Sequence, residues 1–177
     1  MSATRDRMVL ATKGGIRPPL PYDQSAGYLA EAIDASLRRL RTDTIDLWQI
    51  HRPDVLTHPQ EIARTIENAH KAGKIRAFGV SNFTQAQIST LAQFSAVPIV
   101  STQPELSPLR IDTVENGELD QAIAMNLAVL AWSPLGGGRI GDPQNAREQN
   151  VAATLSAVAT THGVSRTAAA YSWIMAH

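Results

Sequence analysis

The chain has 177 residues, with 16 Lys+Arg against 16 Asp+Glu, a formal net charge of zero. That length suits one domain, residues 1–177, and 44% apolar against 18% charged residues is the make-up of a chain that buries a core. The neutral balance argues against electrostatic capture of nucleic acid or an anionic membrane, and the absence of cysteine rules out disulfides, thiolate metal sites and thiol catalysis.

The segment MSATRDRM at 1–8 has no apolar h-region, so no signal peptide is expected, and a cysteine-free chain fits a reducing cytoplasm. No apolar run approaches the ~18 residues of a membrane helix. Residues 8–12 (MVLAT) predict a first strand that ends at Lys13-Gly14-Gly15, followed by a loop with Pro18, Pro19 and Pro21. Residues 26–40 predict a helix: Leu29, Ile33, Leu37 and Leu40 fall on one stripe, with Ser25 as N-cap. Residues 44–50 (TIDLWQI) predict the second strand, ending at His51.

The rhythm repeats along the chain. Residues 59–72 read as a helix with Ile62, Ile66 and Ala69 on one face, stopped by Gly73. A strand at 75–80 ends at Ser81-Asn82, a helix at 84–94 turns Ile88 and Leu91 inward, and a strand at 98–102 ends at Gln103. A helix at 119–125 follows Gly117, and a strand at 128–131 ends at Trp132-Ser133. Residues 151–161 predict a helix closed by Gly163, and Ser165 caps a last helix that runs to residue 176.

Near-continuously apolar strands alternating with helices predict a parallel sheet covered on both faces. The two candidates are a doubly wound sheet and part of a (β/α)₈ barrel. No GxGxxG follows the first strand, which weakens the nucleotide-binding doubly wound reading. In either fold the strand C-termini share one face, where ligands bind. Five strand ends thus aim Lys13, His51, Ser81, Asn82, Gln103, Trp132 and Ser133 at a shared bowl.

These stretches resemble the aldo-keto reductase superfamily: VLATKGG around Lys13, IDLWQIHRPD around His51, AGKIRAFGVSNF around Ser81 and Asn82, STQPELSP around Gln103, and LAWSPLGGG around Trp132. The resemblance implies a (β/α)₈ TIM barrel, of which this chain holds about five parallel strands alternating with helices, strands three to seven of eight. It implies an oxidoreductase that moves hydride between NADPH, or alternatively NADH, and a small aldehyde or ketone. The family's D-x-x-x-x-Y-G motif, with the catalytic tyrosine and its aspartate partner, does not occur, and the last strand has no counterpart. A whole barrel runs to ~250 residues.

By the same resemblance, Lys13 lowers the pKa of a neighbouring hydroxyl acid, and His51 orients the carbonyl or donates a proton. Ser81, Asn82 and Gln103 hydrogen-bond the nicotinamide carboxamide, with Thr102 facing away. Trp132 stacks on the nicotinamide ring. Ser133, Pro134, Leu135, Gly136, Gly137 and Arg139 form a flexible loop whose N–H groups cradle the pyrophosphate, with Arg139 as counter-charge. Ordinary helix capping is the plainer alternative for Ser81 and Asn82. No metal site is expected, because no His/Asp/Glu cluster has ligand spacing. Tyr22, Tyr28 and Tyr171 lie outside the family's catalytic context, with Tyr171 packing on its helix. The superfamily also contains ion-channel auxiliary subunits, so a non-catalytic binding module is the rival reading, and an inactive fragment a third. A barrel lacking strands one, two and eight has open sheet edges, which predicts self-association.

Overall fold

The computed structural model describes residues 5–19 and 22–177; Pro21 of the proline loop and the first four residues lie outside them. Five strands, β1 (Ala11–Gly14), β2 (Ile45–Ile50), β3 (Ile75–Ser81), β4 (Ile99–Gln103) and β5 (Ala128–Val129), form a sheet in the order β1-β2-β3-β4-β5. They alternate with helices α1 (Ala26–Leu40), α2 (Pro59–Lys71), α3 (Gln85–Phe94), α4 (Asp112–Glu115), α5 (Glu118–Ala124), α6 (Ala146–His162) and α7 (Arg166–Met175). This is the expected partial barrel of parallel strands. No helix among the described residues is long and apolar enough to cross a membrane. The chain divides into two compact units, Met1–Thr102 with Asn126–Ala128, and Gln103–Met125 with Val129–His177.

In the first unit β1, β2 and β3 pair in parallel, with Lys13 opposite Gln49 and Gln49 opposite Gly79. Side chains alternate between faces, so Trp48 and Phe78, partners in register and fully buried, share the face opposite to Gln49. Gly14 is needed beside them: a Cβ there would lie 2.7 Å from Cζ2 of Trp48. The α1 start is set by Ser25, whose Oγ accepts the Tyr28 N–H at 3.4 Å. Leu29 and Ile33 are fully buried, but the stripe ends early, with Leu40 39% exposed. His58 caps α2 by accepting the Gln60 N–H on Nδ1 at 3.2 Å, and Thr84 and Gln87 form a reciprocal capping box on α3.

The second unit has its own core of Leu109, Ile140, Leu155, Ala159, Ala169 and Ala170. Asn145 and Ser165 cap α6 and α7, and Gly163 closes α6 at φ 64°. Arg166 donates from its guanidinium to the Ile140 carbonyl at 3.0 Å.

Several boundaries differ from the sequence reading. The first strand starts at Ala11 rather than residue 8, leaving Met8 and Val9 57% and 75% exposed. The ladder begins there because Leu10 is clamped to Asp46: its N–H donates to Oδ2 at 2.8 Å and its carbonyl accepts from the Asp46 N–H at 3.1 Å. Arg5–Arg7 before it is a short 3₁₀ turn. Helix α6 starts five residues before the predicted position, because the polar run AREQN has a cap but no apolar period. Helix α4 is four residues long and too short to show periodicity. Strand β5 stops at Val129, and Trp132 instead makes an isolated parallel bridge with Glu105. Tyr171, expected to pack on its helix, is 43% exposed.

Candidate active site

The register sets out the first unit's site as layers. Lys13, Gln49 and Gly79 stand in one row across β1, β2 and β3, and Nε2 of Gln49 donates to Oγ of Ser101 on β4 at 3.4 Å. His51 lies two residues past Gln49, so it points to the same face one layer higher. Its N–H donates to the Gly14 carbonyl at 2.7 Å, which extends the β1–β2 ladder to the end of the site. Lys13 and His51 line one cleft of about 270 Å³ together with Gly14 and Tyr28. The Tyr28 hydroxyl donates to the Ile16 carbonyl at 2.7 Å, which occupies its proton.

This end of the sheet is electropositive. The Lys13 pKa is lowered by burial and then by the charge of Arg52. That of His51 is lowered by burial and then by the charges of Lys13 and Arg52. Both groups are half-buried, so the imidazole is neutral at pH 7 beside two cations. Such an arrangement stabilises negative charge that develops on an oxygen placed against it. Arg52 was not singled out from the sequence, although it follows His51 directly in IHRPD. The signal was a second cation at a strand end already marked by a histidine.

Asn82 and Ser81 sit beside this cluster. Asn82 has φ 60°, a left-handed conformation that asparagine tolerates better than most residues. Its Nδ2 donates to the His51 carbonyl at 3.1 Å and to Oγ of Ser81 at 2.9 Å. The amide protons of Asn82 thereby tie the end of β3 to the end of β2. Ser81 is fully buried.

In the second unit, Trp132 is held through its backbone: its N–H donates to the Pro104 carbonyl at 3.0 Å and its carbonyl accepts from the Leu106 N–H at 3.4 Å. The indole and Gln103 are both half-buried. Strand alternation puts Thr102, which is buried, on the face opposite to Gln103. Ser133, Pro134 and Leu135 are half-buried and lead into a 3₁₀ turn, Gly136–Gly138, rather than the open flexible loop expected from the sequence. The turn closes on itself because the N–H groups of Gly136, Gly138 and Arg139 donate to the carbonyls of Ser133, Leu135 and Gly136. Gly136, Gly137 and Gly138 all have φ between 61° and 94°, and a Cβ on Gly136 would lie 2.7 Å from Cδ1 of Leu109.

Arg139 is engaged within the same turn. Its Nε donates to the Gly136 carbonyl at 2.8 Å, and its guanidinium pairs with buried Glu148 at 3.3 Å. Glu148 also accepts the Gln144 N–H at 2.7 Å; that bond, with support from Asn145 and Arg139, holds its carboxyl below the usual carboxylate range. The sequence reading assigned no role to Glu148. The residues therefore fit a nicotinamide dinucleotide in part: a half-exposed indole follows a cationic strand end in the chain, but three N–H groups of the glycine turn already have acceptors.

The whole chain, residues 1–177, matches the model of the Aldo/keto reductase family. It is 64% identical over 175 residues to the 6-dehydroglucose reductase of Novosphingobium aromaticivorans, a match that covers 99% of this chain and 58% of that enzyme. Among solved structures, the glycerol dehydrogenase of Gluconobacter oxydans superposes with a TM-score of 0.82 at 31% identity, over 93% of this chain and 58% of that one. The fold also matches an aldo/keto reductase of Klebsiella pneumoniae solved with NADP and acetate, at a TM-score of 0.80 and 23% identity, over 98% of this chain and 58% of that one. The chain thus spans a little under three-fifths of the length of these proteins. With the Lys13 and His51 motifs at the ends of β1 and β2 and the family match running from end to end, the chain belongs to the aldo/keto reductase family.

Proposed function

We propose that this chain is the major part of a reductase that acts on a carbonyl group of a small sugar, in the class of 6-dehydroglucose, with NADPH as the preferred dinucleotide and NADH as its alternative. The observation that carries the reading is geometric: Lys13 and His51, from neighbouring strands, line one cleft, with the charge of Arg52 felt by both. The sugar class is supported by the 64% identity to a 6-dehydroglucose reductase. When bound, the dinucleotide supplies the hydride.

The protein's own groups act on the other end of the carbonyl. Lys13 and Arg52 lower the energy of the negative charge that gathers on the oxygen, while a His51 N–H fixes the oxygen's direction. In the second unit, the Trp132 face and the Gln103 amide are the groups we assign to the nicotinamide. The tyrosine acid of the family is not in this sequence, and general acid help is typically worth ~10²–10⁴-fold, so turnover by this chain alone is slow. A cytoplasmic location goes with this reading, in a chain without cysteine.

The test is a titration of the purified chain with NADPH followed by tryptophan fluorescence, then turnover of 6-dehydroglucose. Saturable quenching that disappears in Trp132→Leu, and slow turnover lost in Lys13→Met, are the expected results. Turnover unchanged by Lys13→Met would overturn the assignment. Binding without turnover would favour the non-catalytic reading.

A further inference from the structure

Gln49 is buried in a strand whose other buried positions, Ile45, Leu47, Trp48 and Ile50, are all apolar. A buried amide is costly unless its polar ends are hydrogen-bonded. One end is accounted for by Ser101, whose Oγ accepts from Nε2 at 3.4 Å. That bond is possible only because residue 79 is glycine. Strand β3 stands between β2 and β4, and the Ser101 hydroxyl occupies the place that a Cβ on Gly79 would take.

The bond settles which way the amide faces. Its nitrogen points to the β4 flank, and in a planar amide the oxygen lies on the other side of Cδ, toward the β1 flank. The residue on that flank is Lys13, the register partner of Gln49, on the same face of a strand about 4.8 Å away. The row of Lys13, Gln49 and Gly79 holds no carboxylate, so Oε1 of Gln49 is the acceptor that the row offers to an ammonium. The other titratable or charged groups around Lys13 lie outside the row. His51 stands one layer higher with Arg52 after it, and Tyr28, Glu31 and Arg39 line the same cleft from α1.

We propose that Gln49 is a positioning residue for Lys13: its amide oxygen accepts from the ammonium and holds that charge under the substrate's carbonyl oxygen, while Ser101, seated over Gly79, keeps the amide from turning over. An ammonium has three hydrogens to donate, so one bond to Gln49 leaves two for other acceptors. The purpose of the contact rests on the role given to Lys13 in the proposed function. The contact itself does not.

The chain has three lysines, Lys13, Lys71 and Lys74. In the full chain labelled at lysine, NMR therefore follows each ammonium through its own titration, with Lys71 and Lys74 as internal references. Gln49→Met keeps the length of the side chain and removes the acceptor, so the Lys13 midpoint should fall by about one pH unit while the other two stay in place. Gln49→Glu should raise the Lys13 midpoint. Ser101→Ala should lower it by less than Gln49→Met, because the oxygen remains but its direction is no longer fixed. A Lys13 midpoint unmoved or raised in Gln49→Met would overturn the contact, as would an equal shift of all three lysines. Should Gln49→Met not fold, a Lys13 midpoint unmoved in Gln49→Glu would overturn it on its own. An unmoved midpoint in Ser101→Ala would overturn the part given to Ser101. The titration needs no substrate. Turnover that survives Lys13→Met would therefore end the catalytic reading of Lys13, while the shifted midpoint would still establish its contact with Gln49.

Discussion

Gly79 is the position where the structure leaves least room. A Cβ built there would lie 2.0 Å from Oγ of Ser101, 2.8 Å from the Ser101 carbonyl oxygen and 3.2 Å from its Cβ. In Gly79→Ala the hydroxyl can rotate away, but Gln49 then loses its 3.4 Å bond in a buried layer. The carbonyl is backbone and cannot rotate, so β3 and β4 must part locally. Overpacking of this kind costs ~1–3 kcal/mol, and a buried amide without its partner costs a similar amount. The sum, about 2–6 kcal/mol, is a large share of the ~5–15 kcal/mol that holds a domain together. With a urea slope of ~1–3 kcal/mol/M, the unfolding midpoint should fall by on the order of 1–2 M. Circular dichroism against urea measures it. Ser101→Gly in the same chain removes the hydroxyl and Cβ contacts but leaves the carbonyl, so the double variant should recover only part of the loss. A midpoint unmoved by Gly79→Ala would refute the close-packed layer beneath the site.

Other outcomes can be checked more briefly. His51 titrates below the ordinary ~6.5 of imidazole, so the stability it preserves is present above that value and is lost as pH falls toward its folded value; Arg52→Gln should raise the His51 midpoint in an NMR titration, and His51→Gln should flatten this part of the stability profile. Asn82→Ala should destabilise more than Asn82→Gly by about 1 kcal/mol, because glycine accepts the left-handed backbone; equal losses would place the whole effect in the side-chain bonds. Strand β1 sits at the edge of the sheet order with Val9 exposed beside it, so light scattering should find species larger than the 19.1 kDa monomer, and Val9→Lys should reduce them; a monomer at every concentration would contradict this.

The alternation of strands and helices was legible because each apolar run is bounded by a chemical stop: Gly73 after α2, Gly163 after α6, Ser25 and Ser165 before α1 and α7. Strand ends were legible for the same reason, since Lys13, His51 and Gln103 interrupt apolar sequence where a ladder runs out. The reading fell short where structure is made by contacts distant in sequence. Nothing near residue 10 announces that Asp46 will fix where β1 begins. Nothing in the glycine run 136–138 reveals that Glu148 will anchor Arg139 nine positions later. Gln49 was visible as a polar residue in an apolar strand, but its meaning required the register that brings Ser101 to it. Arg52 stands in the IHRPD stretch without any local signal of a role; only the fold shows that its charge is felt by Lys13 and His51.

The two ties on His51 have a consequence for how the residue responds to mutation. Its N–H is held by Gly14 on one side and its carbonyl by Asn82 on the other, so both peptide groups flanking the imidazole are anchored to neighbouring strand ends. Under the proposed function, only the two side-chain torsions remain to be set when a carbonyl compound arrives. The entropy of placing this group is therefore settled when the chain folds, not when it meets its substrate. Lys13, although its backbone lies in the β1–β2 ladder, has four side-chain torsions still to set. Loosening Asn82 should accordingly reduce the effective molarity of the imidazole while leaving the electrostatic pull of the two cations intact, a loss in rate rather than in affinity.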